Sequence, residues 1–252
     1  MIRIVLVASA VILFLVFAVP VMLILERKGK SDPRAAEWRS LRIVQGMFRF
    51  ILKLAGVTYE VHGLENIPMD RAVLYVGNHR SYFDVLVGYV TVPGLTGFVA
   101  KKEMLRYPFL RDWMRLVNCV FLDRKNVKEA LKAIMEAIGK LRGGISIWIF
   151  PEGTRNESEH LTDLLEFHEG SLKMAEKSGC PVIPVAISGT AAVFEDHMPW
   201  IRPSHVVIRY GEPIELKELP KEARKFPGAY VRGVLISMLE EMERGQKPES
   251  DT

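Results

Sequence analysis

Cysteine is scarce in this chain: Cys119 and Cys180 are the only two among 252 residues. That excludes a disulfide-stapled scaffold and a cysteine-based zinc site, and leaves two ordinary reduced thiols. The six histidines form no His-Glu-x-x-His and no other ligand spacing, so no metal site is expected. Walker-type and dinucleotide-binding glycine patterns are missing too, which removes nucleoside triphosphates and dinucleotides as expected ligands. Nor does one sign of charge dominate. Lys plus Arg number 34 against 30 Asp plus Glu, a surplus of +4 that names no partner, and no nucleic-acid partner is expected. Internal repeats and low-complexity tracts are lacking. What remains is 49% hydrophobic and 25% charged, which excludes intrinsic disorder and a polytopic membrane protein and suits one sizeable core.

One long apolar run is present. Ile4 to Leu25 holds 22 residues without a charge, ~33 Å as a helix against a hydrocarbon core of ~30 Å. A cleaved signal peptide competes, but its apolar region runs to only ~7–15 residues before a small-residue site, and here Phe17-Ala18-Val19-Pro20 lies inside the run. The run therefore reads as a single uncleaved N-terminal membrane helix. Arg3 precedes it while Arg27, Lys28, Lys30 and Arg34 follow, which places the rest of the chain on the cytoplasmic side of the inner membrane. After a hinge at Gly29–Pro33, the spacing of Leu41, Val44, Met47, Phe48, Ile51, Leu52 and Ala55 predicts a helix over Trp38–Ala55. Arg39, Arg42, Arg49 and Lys53 punctuate it, so it suits the headgroup layer of a membrane as an amphipathic interfacial helix. The alternative is a helix packed on the globular core with its cations merely solvated.

From Val57 onward short β-rich runs alternate with helical ones. Strands are expected at Val57–His62, Ala72–Val76, Gly97–Ala100, Cys119–Asp123, Ile145–Phe150, Val182–Ile187 and Val206–Tyr210. Helices are expected at Val127–Leu141 and Gly170–Lys177, and at Lys221–Arg244 with a break near Pro227-Gly228. The alternation predicts an α/β fold, a largely parallel sheet flanked by helices and preceded by the membrane helix and the interfacial helix. Runs such as Val73–Val76 and Ile147–Phe150 are apolar throughout, as strands covered on both faces must be. The expected organisation is an anchor region over 1–55, an α/β domain over 56–245 and a polar tail over 246–252.

Polar motifs fall at the ends of three of these strands, where ligands gather in such sheets. Leu74–Gly77 runs into Asn78-His79-Arg80-Ser81-Tyr82-Phe83-Asp84, Cys119–Leu122 into Asp123-Arg124, and Ile147–Phe150 into Pro151-Glu152-Gly153-Thr154-Arg155. If a helix begins near Ser81, Asp84 sits in its first turn and reaches back to His79. A carboxylate there fixes the tautomer and stabilises the imidazolium, as in a Ser-His-Asp triad whose hydroxyl comes from a substrate. A capped helix start with a surface histidine explains the same residues without chemistry. Gly153 permits close backbone approach and Arg155 offers a planar fork for phosphate. Glu152 either holds a glycerol-type hydroxyl or orients Arg155.

Together these motifs resemble the glycerolipid acyltransferases, specifically the bacterial 1-acyl-glycerol-3-phosphate (lysophosphatidic acid) acyltransferases of the PlsC type, over roughly residues 40 to 215. His79 and Asp84 match the family's N-H-x4-D block, Phe121–Arg124 its G-x-x-F-I-D-R block, Phe150–Arg155 its F-P-E-G-T-R block and Val182–Ala186 its fourth block. Phe98–Glu103 is similar to a segment whose lysine meets the acceptor phosphate, which points to Lys101. Asn118 departs from the pattern, standing where the second block usually has glycine.

The resemblance implies transfer of a fatty acyl group from coenzyme A or acyl carrier protein to the 2-hydroxyl of lysophosphatidic acid, giving phosphatidic acid. His79 would be the base and Asp84 its support. Lys101, Arg124, Glu152, Gly153, Thr154 and Arg155 would hold substrate, and no cofactor or metal would be needed. Membrane lipids would be the surrounding partners. Thioester hydrolysis by the same pair, or a non-catalytic lipid-binding role, are the alternatives. Cations without a role count against the first, and an intact His79 and Asp84 against the second.

Overall fold

A computed structural model describes residues 1–246. The expected polar tail lies outside the described residues, apart from Gln246. Seven strands form one sheet: β1 (Val57–His62), β2 (Leu74–Gly77), β3 (Thr96–Lys101), β4 (Val120–Leu122), β5 (Ser146–Ile149), β6 (Val182–Ser188) and β7 (Ser204–Tyr210). All seven lie where the β-rich runs predict them. Their order is β1-β7-β6-β2-β5-β3-β4. The block β6-β2-β5-β3-β4 is parallel throughout, and β7 joins it antiparallel and carries β1 parallel to itself.

Alternating side chains of these strands feed two apolar layers. Val73 and Tyr75 face one layer and Leu74 and Val76 the other. The second layer is closed by α6 (Val127–Arg142), α7 (Lys173–Ser178) and α9 (Pro227–Gln246). The first is closed by α4 (Phe83–Thr91), α5 (Leu110–Leu116) and the three N-terminal helices. Those are α1 (Ile2–Phe17), α2 (Val19–Gly29) and α3 (Pro33–Ala55). Near the C terminus the expected break occurs at Phe226, where α8 (Lys221–Lys225) gives way to α9.

The single membrane helix needs correction. Ile4–Leu25 is not continuous: α1 and α2 meet at Ala18 with a bend of 51°. Pro20 explains it. Its ring removes the N–H that would bond Val16 and crowds that carbonyl, so the apolar run restarts as a second helix with proline in its first turn. Among the described residues no single helix is long and apolar enough to cross a membrane, whereas the bent pair meets that length and composition together.

The amphipathic helix also differs from the interfacial picture. Its apolar side, including Leu41, Val44, Ile51, Leu52 and Ala55, is buried in the first core layer. Trp38, Arg39, Arg42, Arg49, Phe50 and Lys53 form the exposed side instead. Asp32 caps its start by accepting from Ala35 N, and Gly56 ends it in the left-handed region at φ 77°.

Because five neighbouring strands are parallel, their carboxyl ends share one edge. The amino ends of β7 and β1 lie at the same edge, which brings the end of α3 there as well. The N-terminal helices are thereby held beside the strand-end loops.

Candidate active site

The loop after β2 carries His79. Its Nδ1 lies 2.8 Å from Asp84 Oδ2, in the first turn of α4. Asp84 is fully buried and its oxygens are filled by donors. Oδ2 also accepts from the backbone N–H of Arg80 and Ser81, each at 2.8 Å, and Oδ1 accepts from the Thr190 hydroxyl at 2.6 Å. A buried carboxylate needs such donors to stay ionised, and the helix start adds a favourable dipole. The imidazole stacks on Phe150, ring centroids 4.2 Å apart and 11° from parallel. With Nδ1 turned to Asp84, Nε2 is the nitrogen able to take a proton from an acceptor. The Ser81 hydroxyl accepts from Phe83 N, so the helix starts where the sequence places it.

The backbone of His79 is fixed from the loop after β5. Its N–H donates to Glu152 Oε1 at 2.8 Å, and its carbonyl accepts from Asn156 N at 2.7 Å. Glu152 Oε2 accepts from Leu165 N and Asn156 Nδ2. This carboxyl is only 4% exposed, and burial raises its pKa against the pull of those N–H donors. The expectation that Glu152 holds a substrate hydroxyl or orients Arg155 is therefore corrected. It sits behind the cavity wall with its oxygens committed to the two loops.

A cavity of about 890 Å³ opens in front of His79. Lys101, Arg124, Gly153, Thr154 and Arg155 all line it, whereas Asp84 and Glu152 lie behind them. The cations come from three adjacent strands, since β5, β3 and β4 are neighbours. Lys102, next to Lys101, is tied to Asp123 at 2.9 Å, while Lys101 and Arg124 have no carboxylate partner among the described residues. Partial burial draws Arg124 below the ordinary guanidinium pKa. Gly153 suits this turn by its backbone conformation. Its φ is +77°, and a Cβ there would stand 2.9 Å from His168 Nε2 and 3.4 Å from Arg124 Nη1. Away from the cations the lining turns apolar and ends on Ile4, Val7, Val11 and Phe14 of α1. Among the described residues no group of three or more His, Cys, Asp or Glu side chains is placed to hold a metal ion.

The geometry agrees with the kinship of the chain. The sequence profile of the Acyltransferase family matches residues 58–188. The chain belongs to this family. A 1-acyl-sn-glycerol-3-phosphate acyltransferase of Borreliella burgdorferi is 31% identical over 201 residues, which cover 80% of this chain and 79% of that protein. The human 1-acyl-sn-glycerol-3-phosphate acyltransferase alpha is 32% identical over 181 residues, 70% of this chain and 59% of its own. The crystal structure of the 1-acyl-sn-glycerophosphate (LPA) acyltransferase PlsC from Thermotoga maritima superposes with a TM-score of 0.81. It is 28% identical and the match spans 96% of this chain and 95% of that one.

Asn118 of this acyltransferase, the departure from the usual glycine, adopts φ +63°. Asparagine tolerates the left-handed region better than other side chains, and Lys140 Nζ donates to its Oδ1 at 3.0 Å. The loop before β4 thus keeps a glycine-like turn. Four polar residues of the site carry no local signal in the sequence: Thr190, Glu195, Asn156 and His168. Thr190 and Glu195 arrive from beyond β6, and only the sheet topology brings them to Asp84 and Arg155.

Proposed function

We propose that this acyltransferase moves a fatty acyl group from a thioester of coenzyme A or acyl carrier protein to the 2-hydroxyl of lysophosphatidic acid. The product is phosphatidic acid. One observation carries the reading: a carboxylate-held imidazole faces a cavity that is cationic on one side and apolar on the other. A phosphate monoester joined to a fatty chain has that distribution of charge. His79 Nε2 takes the hydroxyl proton while the oxygen attacks the thioester carbon, and Asp84 stabilises the imidazolium. The thiolate leaves and is protonated, so the chemistry calls on no cofactor and no enzyme nucleophile. Lys101 and Arg124 supply unneutralised charge to the acceptor phosphate, and Arg155 supplies a planar donor edge.

The N-terminal helices fit this role as a lipid-facing element. One side of α1 lines the cavity through Ile4, Val7, Val11 and Phe14, while Ile2, Val5, Leu6, Ile12, Leu13, Val16 and Phe17 are exposed on its other sides. Beyond Arg3 this helix is apolar except for Ser9 and is bare on one side, which calls for an apolar medium, and the exposed cations of α3 suit lipid phosphates beside it. The protein would then sit at the cytoplasmic face of the inner membrane, with its acceptor entering from the bilayer.

Saturation curves for each substrate test the acceptor assignment. Lysophosphatidic acid should be used well and lysophosphatidylcholine, with its added bulk and positive charge, poorly. Arg155→Ala should lower acceptor kcat/KM by roughly 10- to 150-fold with little change in donor KM, the size expected for one lost charge-assisted contact. An effect confined to the donor would reassign Arg155 to the donor's phosphates.

A further inference from the structure

Glu195 lies in the turn between β6 and β7, 40 residues beyond Arg155 in sequence. Its Oε1 accepts from Arg155 Nη1 at 2.8 Å and from the backbone N–H of Tyr82 at 3.0 Å. The guanidinium of Arg155 lies over the Tyr82 ring, 4.0 Å from its centre. Three loops thus meet in one contact set: the loop after β2 through Tyr82, the loop after β5 through Arg155, and the segment after β6 through Glu195. Tyr82 and Arg155 line the cavity and Glu195 does not. The other carboxylate oxygen of Glu195, Oε2, is buried and accepts from nothing among the described residues.

An unpartnered buried carboxylate oxygen costs stability, and an apolar side chain would avoid that cost. What the carboxylate provides is control of Arg155. A free arginine spreads over many rotamers, and ordering it on binding opposes affinity. The Glu195 oxygen and the Tyr82 ring fix the guanidinium beforehand, leaving its other N–H groups for a ligand in the cavity.

We infer that Glu195 is a positioning residue for substrate recognition, acting through Arg155. It rests on the acceptor reading above only for which substrate Arg155 meets. The coupling between the two residues does not depend on which substrate that is.

The experiment is a double-mutant cycle on the full chain, using Glu195→Ala, Arg155→Ala and both together, with saturation curves for lysophosphatidic acid and for acyl-CoA. Glu195→Ala should raise the KM for lysophosphatidic acid about tenfold and leave kcat and the acyl-CoA KM within about twofold. In the Arg155→Ala background the same change should cost less than about twofold. Glu195→Gln should stay within about threefold of wild type. Its amide oxygen can still accept from Arg155 and Tyr82, and its NH2 would occupy the Oε2 position, where no donor opposes it. Should the alanine variant fail to fold, Glu195→Asp carries the same cycle, since the shorter chain cannot reach both donors. Full additivity of the two losses, or equal damage to both substrates by Glu195→Ala alone, overturns the inference. If Arg155→Ala and Glu195→Ala instead impair only acyl-CoA and do so non-additively, the positioning role stands and the acceptor assignment of Arg155 falls.

Discussion

The Thr190 hydroxyl donates to Asp84 Oδ1 at 2.6 Å, across 106 residues of sequence. It is the only donor the described residues give that oxygen, the others all meeting Oδ2. The imidazole therefore depends on a residue that never touches it. Asp84 must keep its charge and its direction, and Thr190 serves both.

Thr190→Val preserves shape and removes the donor. The loss of a hydrogen bond to a charged group, ~1.5–3 kcal/mol, should appear as a kcat reduced by roughly 10- to 150-fold with both KM values little changed. Thr190→Ser should recover most of it. Initial rates at saturating substrates provide the check, and a valine variant with normal kcat would remove Thr190 from the account.

Glu152→Gln should act on stability and turnover together. The variant keeps an acceptor for His79 N but points an NH2 at the N–H of Leu165 or at Asn156, leaving buried donors opposed. About 2 kcal/mol of lost stability corresponds to roughly 4–8 °C in Tm for a chain of this size. The pH dependence has a definite sign. Burial raises the Glu152 pKa above its unfolded value of 4.5, so the folded chain holds that proton longer. Its contribution to stability is full below that unfolded value and shrinks as pH rises through the folded one. Glutamine has no proton to lose, so the advantage of wild type over Glu152→Gln should narrow as pH rises through that window. Thermal melts from acidic to neutral pH measure it, and an advantage that widens with pH would contradict the assigned direction.

Deleting residues 2–30 should damage the active site itself. Phe14 packs on Trp113 with ring centroids 5.1 Å apart, and Met22 and Leu25 belong to the first core layer. The deletion opens one wall of the cavity and uncovers that layer, so turnover on long-chain lysophosphatidic acid should fall at least ~10-fold even in detergent micelles. Circular dichroism and activity measured together decide it. A folded, fully active truncated enzyme would show that α1 is not part of the acyl site.

Much of this fold was legible because its signals are local. Central strands such as Val73–Val76 and Ile147–Phe150 are apolar throughout and bounded by polar loops, and their carboxyl ends had to carry the motifs. The His79–Asp84 pair spans five residues and its geometry follows from one helix start. The helix α5 was not legible: seven residues are too few for periodicity, and it follows Phe109 at φ +61°, which nothing nearby announces. Pro20 was visible, yet a hydropathy run does not tell whether a proline bends a helix or is absorbed by its neighbours. The commitment of Glu152 was not legible because two of its partners, His79 and Leu165, are 73 and 13 residues away. Thr190 and Glu195 lie further out of reach. They enter the site only because β6 pairs with β2, a fact of topology with no trace in their own neighbourhoods.

If His79 drives acyl transfer to lysophosphatidic acid, its loss must slow thiol release and phosphatidic acid formation together. The purified full chain in mixed micelles, given acyl-CoA or acyl carrier protein thioester and lysophosphatidic acid, allows free thiol and phosphatidic acid to be followed separately. Wild type should release thiol and form phosphatidic acid in equal amounts. Folded His79→Ala should be slower in both by about 10²-fold or more, the usual contribution of a positioned general base. Thiol released without phosphatidic acid, or near-normal phosphatidic acid formation by His79→Ala, would contradict the account.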